Sequence, residues 1–94
     1  MTPPIPVTHN RPARRFEASI SNEPLAFLSY TTEGDRVVFD RTFVPESLRG
    51  QGVAAALARA ALREAQQQGW RIEPRCSYVA GFIKRHSQFA DLVV

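Results

Sequence analysis

The chain has 94 residues, of which 44% are apolar and 22% charged, and this suits one small globular domain rather than two. No apolar run approaches the roughly 20 residues of a membrane span, and the N-terminal stretch "MTPPIPVTHN" lacks the apolar centre of a secretory signal. We therefore expect a cytoplasmic protein with no membrane partner. The net charge of +3 comes from scattered arginines, which argues against a nucleic-acid binder and suits an anionic small molecule.

The cysteine and histidine content limits the chemistry that the chain can carry. With Cys76 as its single cysteine, it can form no internal disulfide and no cysteine-based zinc site of its own. His9 and His86 are far apart in sequence and lack the spacing of metal ligands. We predict no metal site.

The first third of the sequence predicts a tail followed by strands. Residues 1–12 hold four of the seven prolines and are expected to form a flexible or irregular segment, which leaves 13–94 as the single domain. Alternating apolar and polar residues then predict three strands joined by short turns, an antiparallel meander. These strands are expected at 14–20, 25–32 and 36–44, with turns at 21–24 and 33–35.

Strict alternation assigns the side chains of the third predicted strand to two faces. One face carries Val37, Phe39 and Phe43. The other carries Val38, Asp40, Thr42 and Val44.

The rest of the chain predicts two helices around one more strand. Apolar residues recur at helical spacing over 52–68, and Gly69 is suited to end this helix. A right-handed crossover would place the strand at 70–73 parallel to the third strand. A second helix is expected over 78–89, capped by Ser77, and the tail "ADLVV" as a short strand or packed coil. The predicted class is α+β, in the order β-β-β-α-β-α.

Two glycines at the start of the first predicted helix favour a phosphate site. A helix N-terminus offers unpaired N–H groups and the positive end of a dipole. Gly50 and Gly52 bring no Cβ atoms that would hold a phosphate away, and Arg49 adds positive charge. The simpler alternative is that the glycines only make the turn from strand to helix.

Two motifs narrow this interpretation. "RGQGVA", residues 49–54, has the form R-x-x-G-x-A, follows a strand and opens an Ala/Leu-rich helix. It resembles the acetyl-CoA signature of the GNAT superfamily of N-acetyltransferases. "PRCSYVAGFIKRHSQFADLV", residues 74–93, is similar to the P-x-C-x-Y…I-x-R-H-x-x-[FY]-x-D-L signature of the short, single-domain branch of that superfamily. The resemblance implies a minimal GNAT-like fold in which the third and fourth strands are parallel and splay apart.

The resemblance also implies a cofactor, acetyl-CoA, and its binding residues. Backbone N–H groups of the signature would hold the pyrophosphate, and the preceding strand would bond the pantetheine amides. The implied cofactor-binding residues are Phe43, Val44, Arg49, Gly50, Gln51, Gly52, Val53 and Ala54.

The usual catalytic acid of the family has no clear counterpart here. Many members carry a tyrosine on the second helix where this chain has Phe82, and Tyr78 lies a turn earlier. Cys76 is the main catalytic candidate, because a thiol after a strand and at a helix N-terminus, beside Arg75, favours the thiolate. It could carry the acetyl group, act as an acid or contact the cofactor, or it could be a small core residue. His86 is a second catalytic candidate, or a structural residue at the helix end.

Three functions stay open at this stage. The first is an acetyl-CoA-dependent N-acetyltransferase acting on a small amine, a protein lysine or an N-terminus, as a monomer or a homodimer. The second is a non-catalytic acyl-CoA-binding or protein-interaction module on the same fold. The third is a basic nucleic-acid-associated domain.

Overall fold

The computed structural model describes residues 5–20 and 24–94, and its centre is a five-stranded sheet. The strands lie in chain order, β1-β2-β3-β4-β5; the first four pair antiparallel, and β5 joins β4 in parallel. Their bounds are Thr8–Asn10 (β1), Arg15–Ala18 (β2), Ala26–Glu33 (β3), Arg36–Phe43 (β4) and Arg71–Pro74 (β5). The α+β class and the antiparallel meander are confirmed. The parallel pairing of the third and fourth predicted strands, which are β4 and β5 in the structure, is also confirmed. Most of the turn predicted at 21–24 lies outside the described residues.

Two α-helices and two short 3-10 helices complete the fold. Their bounds are Glu46–Leu48 (3-10), Val53–Gln68 (α1), Ser77–Arg85 (α2) and Ser87–Leu92 (3-10). Gly69 ends α1 in the left-handed conformation, as predicted, with its N–H bonded to the carbonyl of Ala65. The second helix is shorter than predicted, because the chain tightens into the 3-10 helix after His86. Neither α1 nor α2 has the length and apolar character needed to cross a bilayer.

Residues 8–10, within the segment predicted to be flexible or irregular, form a strand. Thr8–Asn10 pairs with Arg15–Ala18, so the sheet gains an edge strand that the sequence analysis missed. A three-residue strand is too short to show alternation. It pairs with the next strand along the chain, and the side-chain contacts that anchor it, from His9 to Tyr30 and Glu64, are distant in sequence. At the other edge, the tail forms a single bridge between Val93 and Ile72.

Both helices pack on the same face of the sheet. The apolar residues of α1 predicted from helical spacing are buried there, together with Val79, Phe82 and Ile83 of α2. The sheet contributes alternate residues to this core, such as Leu28 and Tyr30 of β3. The opposite face carries no helix in the described residues, and we call it the outer face. Its far end is covered by ion pairs of Arg36 and Arg75 with Glu33 and Glu73.

A β-bulge in β4 corrects the predicted facing of this strand. Ser29 pairs with Arg41 and Tyr30 pairs with Phe39, so Asp40 is an extra residue without a partner in β3. An extra residue reverses the facing of everything that follows it. Phe39 therefore lies in the core, as do the apolar residues of β3. Phe43, predicted on the same side as Phe39, lies on the outer face instead.

The same strand is longer than its parallel neighbour. Pairing between β4 and β5 stops at Phe39 opposite Pro74, and one further bond joins the N–H of Cys76 to the carbonyl of Phe39 at 2.9 Å. Residues 40–43 of β4 have no partner in β5. This arrangement opens a gap at the C-terminal ends of the two strands, the usual ligand position in mixed sheets.

His9 anchors the edge strand to the core. Its Nε2 lies 2.6 Å from the Tyr30 hydroxyl, its ring stacks on Phe16 at 4.2 Å, and its Nδ1 is 3.6 Å from a carboxylate oxygen of Glu64. Burial, followed by the charge of Arg11, lowers the pKa of His9 below its ordinary 6.5. The folded state therefore favours the neutral ring, which can accept the Tyr30 proton.

We predict that the domain is less stable in mild acid because of His9. Its pKa is lower in the folded than in the unfolded chain, so the unfolded chain binds the extra proton as the pH falls through 6.5. The thermal midpoint should drop between about pH 7.5 and about pH 5.5. His9→Gln should reduce this drop, while Thr8→Gln, on the exposed side of the same strand, should preserve it. Equal pH dependence in wild type and His9→Gln would contradict the prediction.

Candidate functional site

The loop between β4 and α1 is shaped by two left-handed glycines. After the 3-10 helix Glu46–Leu48, the chain reaches α1 through Gly50 at φ 81° and Gly52 at φ 79°. Residues with a Cβ atom rarely adopt this conformation, which explains glycine at both positions. A Cβ atom built on either glycine would meet nothing within 4 Å, so the space beside both is open.

The N-terminus of α1 is not capped by a side chain. Gly52 is the N-cap and offers no side-chain acceptor, and the first N–H that bonds back is that of Ala56, to the carbonyl of Gly52 at 3.0 Å. The N–H groups of Val53, Ala54 and Ala55 therefore have no partner within the helix. Unpaired N–H groups at the positive end of a 16-residue helix favour a bound anion.

A pocket of about 260 Å³ opens beside this helix end. It lies between the end of β4, the glycine loop, the first turn of α1 and the start of α2. The lining residues are Val44, Leu48, Arg49, Gly50, Gly52, Val53, Ala54, Ala55 and Tyr78. Six of the eight residues that the resemblance implied for cofactor binding are in this list. Phe43 is on the outer face, and the Gln51 amide donates to the carbonyl of Ser47 instead.

Tyr78 is a pocket residue that the sequence analysis passed over. It is the second residue of α2, and because α2 begins beside the gap between the strands, an early position on this helix lies against the pocket. The guanidinium of Arg85 lies 5.9 Å from the centre of the Tyr78 ring. Gly81 leaves room for this contact, since a Cβ atom there would lie 3.4 Å from the Arg85 Nη1. The pocket lining therefore includes a phenol and one cation, Arg49, and Arg85 lies over the Tyr78 ring.

Cys76 lies behind the pocket rather than in its lining. It is the N-cap residue of α2 and is 9% exposed, and its Sγ lies 3.2 Å from the hydroxyl of Thr42 on β4. Arg75, expected to favour a thiolate, turns away and pairs with Glu33 and Glu73. The thiol thus lies at the inner end of the gap between the strands, with a hydroxyl as its polar neighbour.

His86 is at the opposite end of α2 from Cys76. Nine helical residues lie between them, so the two positions are about 15 Å apart along the helix at 1.5 Å per residue. Its Nδ1 is 2.9 Å from the carbonyl of Phe82, its ring stacks on Phe82 at 4.0 Å, and its Nε2 is 3.5 Å from Arg59. The structure does not bring the two catalytic candidates together. Among residues 5–20 and 24–94, no cluster of potential metal ligands occurs.

Comparison with known proteins identifies the family. The sequence model described as GCN5-related N-acetyl-transferase matches residues 15–92. The chain is 35% identical over 85 residues to Protein NATD1 of Bos taurus, covering 88% of this chain and 75% of that protein. It is 33% identical to Protein NATD1 of Homo sapiens over the same length and with the same coverage.

A solved structure agrees with this assignment at the level of the fold. The NMR solution structure of a GCN5-like protein from Staphylococcus aureus superimposes with a TM-score of 0.73 at 21% identity, covering 99% of this chain and 91% of that one. The family model spans most of the chain, from the start of β2 to the end of the second 3-10 helix. The chain belongs to the GCN5-related N-acetyltransferase family.

Proposed function

We propose that the protein is an acetyl-CoA-dependent N-acetyltransferase that acts in the cytoplasm. The observation that carries this proposal is the uncapped N-terminus of α1, reached through Gly50 and Gly52 and opening onto a pocket where β4 extends beyond β5. The acceptor is an amine, on a small molecule, a protein lysine or an N-terminus. No residue of the proposed site requires a second subunit, so a monomer or a homodimer is compatible with it.

The residues fit the phosphates of coenzyme A. The N–H groups of residues 53–55 point out of the helix end, and the open space beside Gly50 and Gly52 lets a pyrophosphate approach the backbone. Arg49 is exposed and uses its Nε on the Val44 carbonyl at 3.4 Å, which leaves the other guanidinium nitrogens for an anion. At about 260 Å³ the pocket holds part of the cofactor only, and the remainder would lie along the surface toward Arg85.

The bound cofactor supplies a thioester, and the chain supplies position and protons. Backbone N–H groups in the part of β4 without a β5 partner, near Val44, can polarise the acetyl carbonyl. The Tyr78 hydroxyl can give a proton to the departing thiolate, since it lines the same pocket. Cys76, held by Thr42, would lie near the acetyl end without lining the pocket. The amine nitrogen would bond directly to the acetyl carbon as the C–S bond breaks, and the thiolate would take the Tyr78 proton. The acetylated nitrogen would release its extra proton to solvent, from which Tyr78 would be reprotonated. His86 has no part in this scheme because of its place at the far end of α2.

The Gly52→Ala variant should bind acetyl-CoA at least about tenfold more weakly, a loss of ~1.4 kcal/mol in isothermal titration. A residue with a Cβ atom disfavours φ 79° by about 1–2 kcal/mol, so the loop relaxes and its N–H groups turn away.

Gly34→Ala is the matched control for this variant. Gly34 has φ 63° with equally open space, but lies in the β3–β4 turn, at the far end of β4 from the pocket. Gly34→Ala should lower the free energy of unfolding by a similar amount and leave the affinity for acetyl-CoA unchanged. Equal affinities of the two variants would count against the phosphate site.

Tyr78→Phe should lower kcat by about 100-fold while the Kd for acetyl-CoA changes less than about twofold, because only the proton donor is removed. Release of free CoA thiol across a panel of amines measures the rate. An unchanged kcat would remove Tyr78 from the mechanism. Tight binding of acetyl-CoA without turnover of any amine would instead favour a non-catalytic acyl-CoA-binding module.

Direct transfer predicts that Cys76 is not acetylated when the protein is incubated with acetyl-CoA in the absence of an amine. Cys76→Ser, which preserves a polar contact to Thr42, should retain more activity than Cys76→Ala. Intact-protein mass spectrometry checks the first point. An acetyl group on Cys76 that is discharged by added amine would refute direct transfer and make Cys76 the acetyl carrier.

A further inference from the structure

The outer face of the sheet carries an aromatic pair, and no helix among residues 5–20 and 24–94 covers it. The rings of Phe27 and Phe43 lie opposite each other on β3 and β4 with centroids 5.5 Å apart. Both are half-buried, and neither belongs to the hydrophobic core on the helix side. Large apolar side chains that stay outside the core of a small domain are typical of contact surfaces.

Two arginines flank this pair, and only one of them is neutralised. Arg15 lies 5.3 Å from the Phe27 ring centre and is paired with Glu17. Arg41 lies 5.8 Å from the centres of both rings. Among the described residues no carboxylate lies within ion-pair distance of Arg41, not even that of its exposed neighbour Asp40. The aromatic pair is therefore bordered by one uncompensated positive charge.

This patch adjoins the proposed acetyl site through the strand itself. Arg41 and Phe43 flank Thr42, whose hydroxyl points to the helix side and contacts Cys76 at 3.2 Å. All three lie in the part of β4 that has no β5 partner. A group held on the outer face beside Arg41 is thus one sheet thickness from the proposed acetyl site. At this level β5 no longer pairs with β4, so the sheet is open on that side.

The shape of the outer face decides between a small ligand and a peptide. It is an open sheet surface. The pocket at the N-terminus of α1 lies on the helix side, as does a second pocket between α1 and residues 5–7. A small amine would gain little enclosure here, because small-molecule sites are concave. An extended peptide can lie across such a surface, with apolar groups on the rings and carboxylates on Arg41.

We propose that the outer face around Phe27, Phe43 and Arg41 binds an acidic segment of a protein substrate and directs its lysine or N-terminal amine into the gap beside Thr42. This inference rests on the proposed acetyltransferase function. It narrows the acceptor class to proteins with carboxylates near the acetylated amine.

The test compares two labelled peptides that share one central lysine, with glutamates or glutamines around it. Fluorescence anisotropy should show at least about tenfold tighter binding of the glutamate peptide, declining with salt. Arg41→Gln should abolish this difference and raise KM with little change in kcat. Arg63 is an exposed arginine on α1 that forms no ion pair with any carboxylate in the described part of the chain. Arg63→Gln removes the same charge from the helix side and should leave the preference intact.

Titration with acetyl-CoA, performed in parallel, separates the two proposals. Normal acetyl-CoA binding with equal affinity for both peptides would overturn the acidic acceptor and leave the acetyltransferase proposal standing. If the wild-type protein does not bind acetyl-CoA, the enzyme proposal is overturned. The peptide comparison would still decide whether the outer face binds an acidic peptide. Binding of a single-stranded oligonucleotide that depends on Arg41, with no binding of the glutamate peptide, would also overturn the inference.

Discussion

The fold depends on a mismatch in length between two parallel strands. β4 has eight residues and β5 has four, so the sheet is continuous only as far as Phe39 and Pro74. Beyond that point the chain leaves β5 to start α2, and β4 continues to Phe43 paired with β3 only. Both helix N-termini, at Gly52 and Cys76, are brought to this open end. A paired strand here would close the gap, and the pocket, the uncapped amides and the thiol would have no common space.

Most of the proposed site consists of backbone groups. A short chain can form such a site because it needs few dedicated side chains. The N–H groups of α1 and the free edge of β4 need particular conformations more than particular side chains. Glycine at 50 and 52 sets one of these conformations, and the early end of β5 sets the other. The core that supports them is built from apolar residues on one side of the sheet. The other side remains available for contacts with a partner.

The sequence alone predicts the parts of this structure that are local. Helical spacing and Gly69 define α1, and the R-x-x-G-x-A motif marks its N-terminal loop. The three-residue strand β1 is missed because it is too short to show alternation, and because the contacts of His9 with Tyr30 and Glu64 that anchor it are distant in sequence. Phe43 was predicted on the wrong face because no residue type signals the bulge at Asp40. Tyr78 was set aside because only the tertiary structure shows where α2 begins relative to the pocket.

The bulge at Asp40 also constrains how this strand can change in evolution. Beyond this extra residue, Arg41, Thr42 and Phe43 lie opposite Ser29, Leu28 and Phe27. A chain without Asp40 would keep these pairs in a regular ladder, so Thr42 would still face Cys76 and Phe43 would stay beside Phe27. A residue added after Arg41 and paired in the ladder would instead move Thr42 to the solvent side and leave the thiol without its hydroxyl neighbour. Descendants of this chain can therefore lose the bulge, whereas lengthening the strand would separate Thr42 from Cys76.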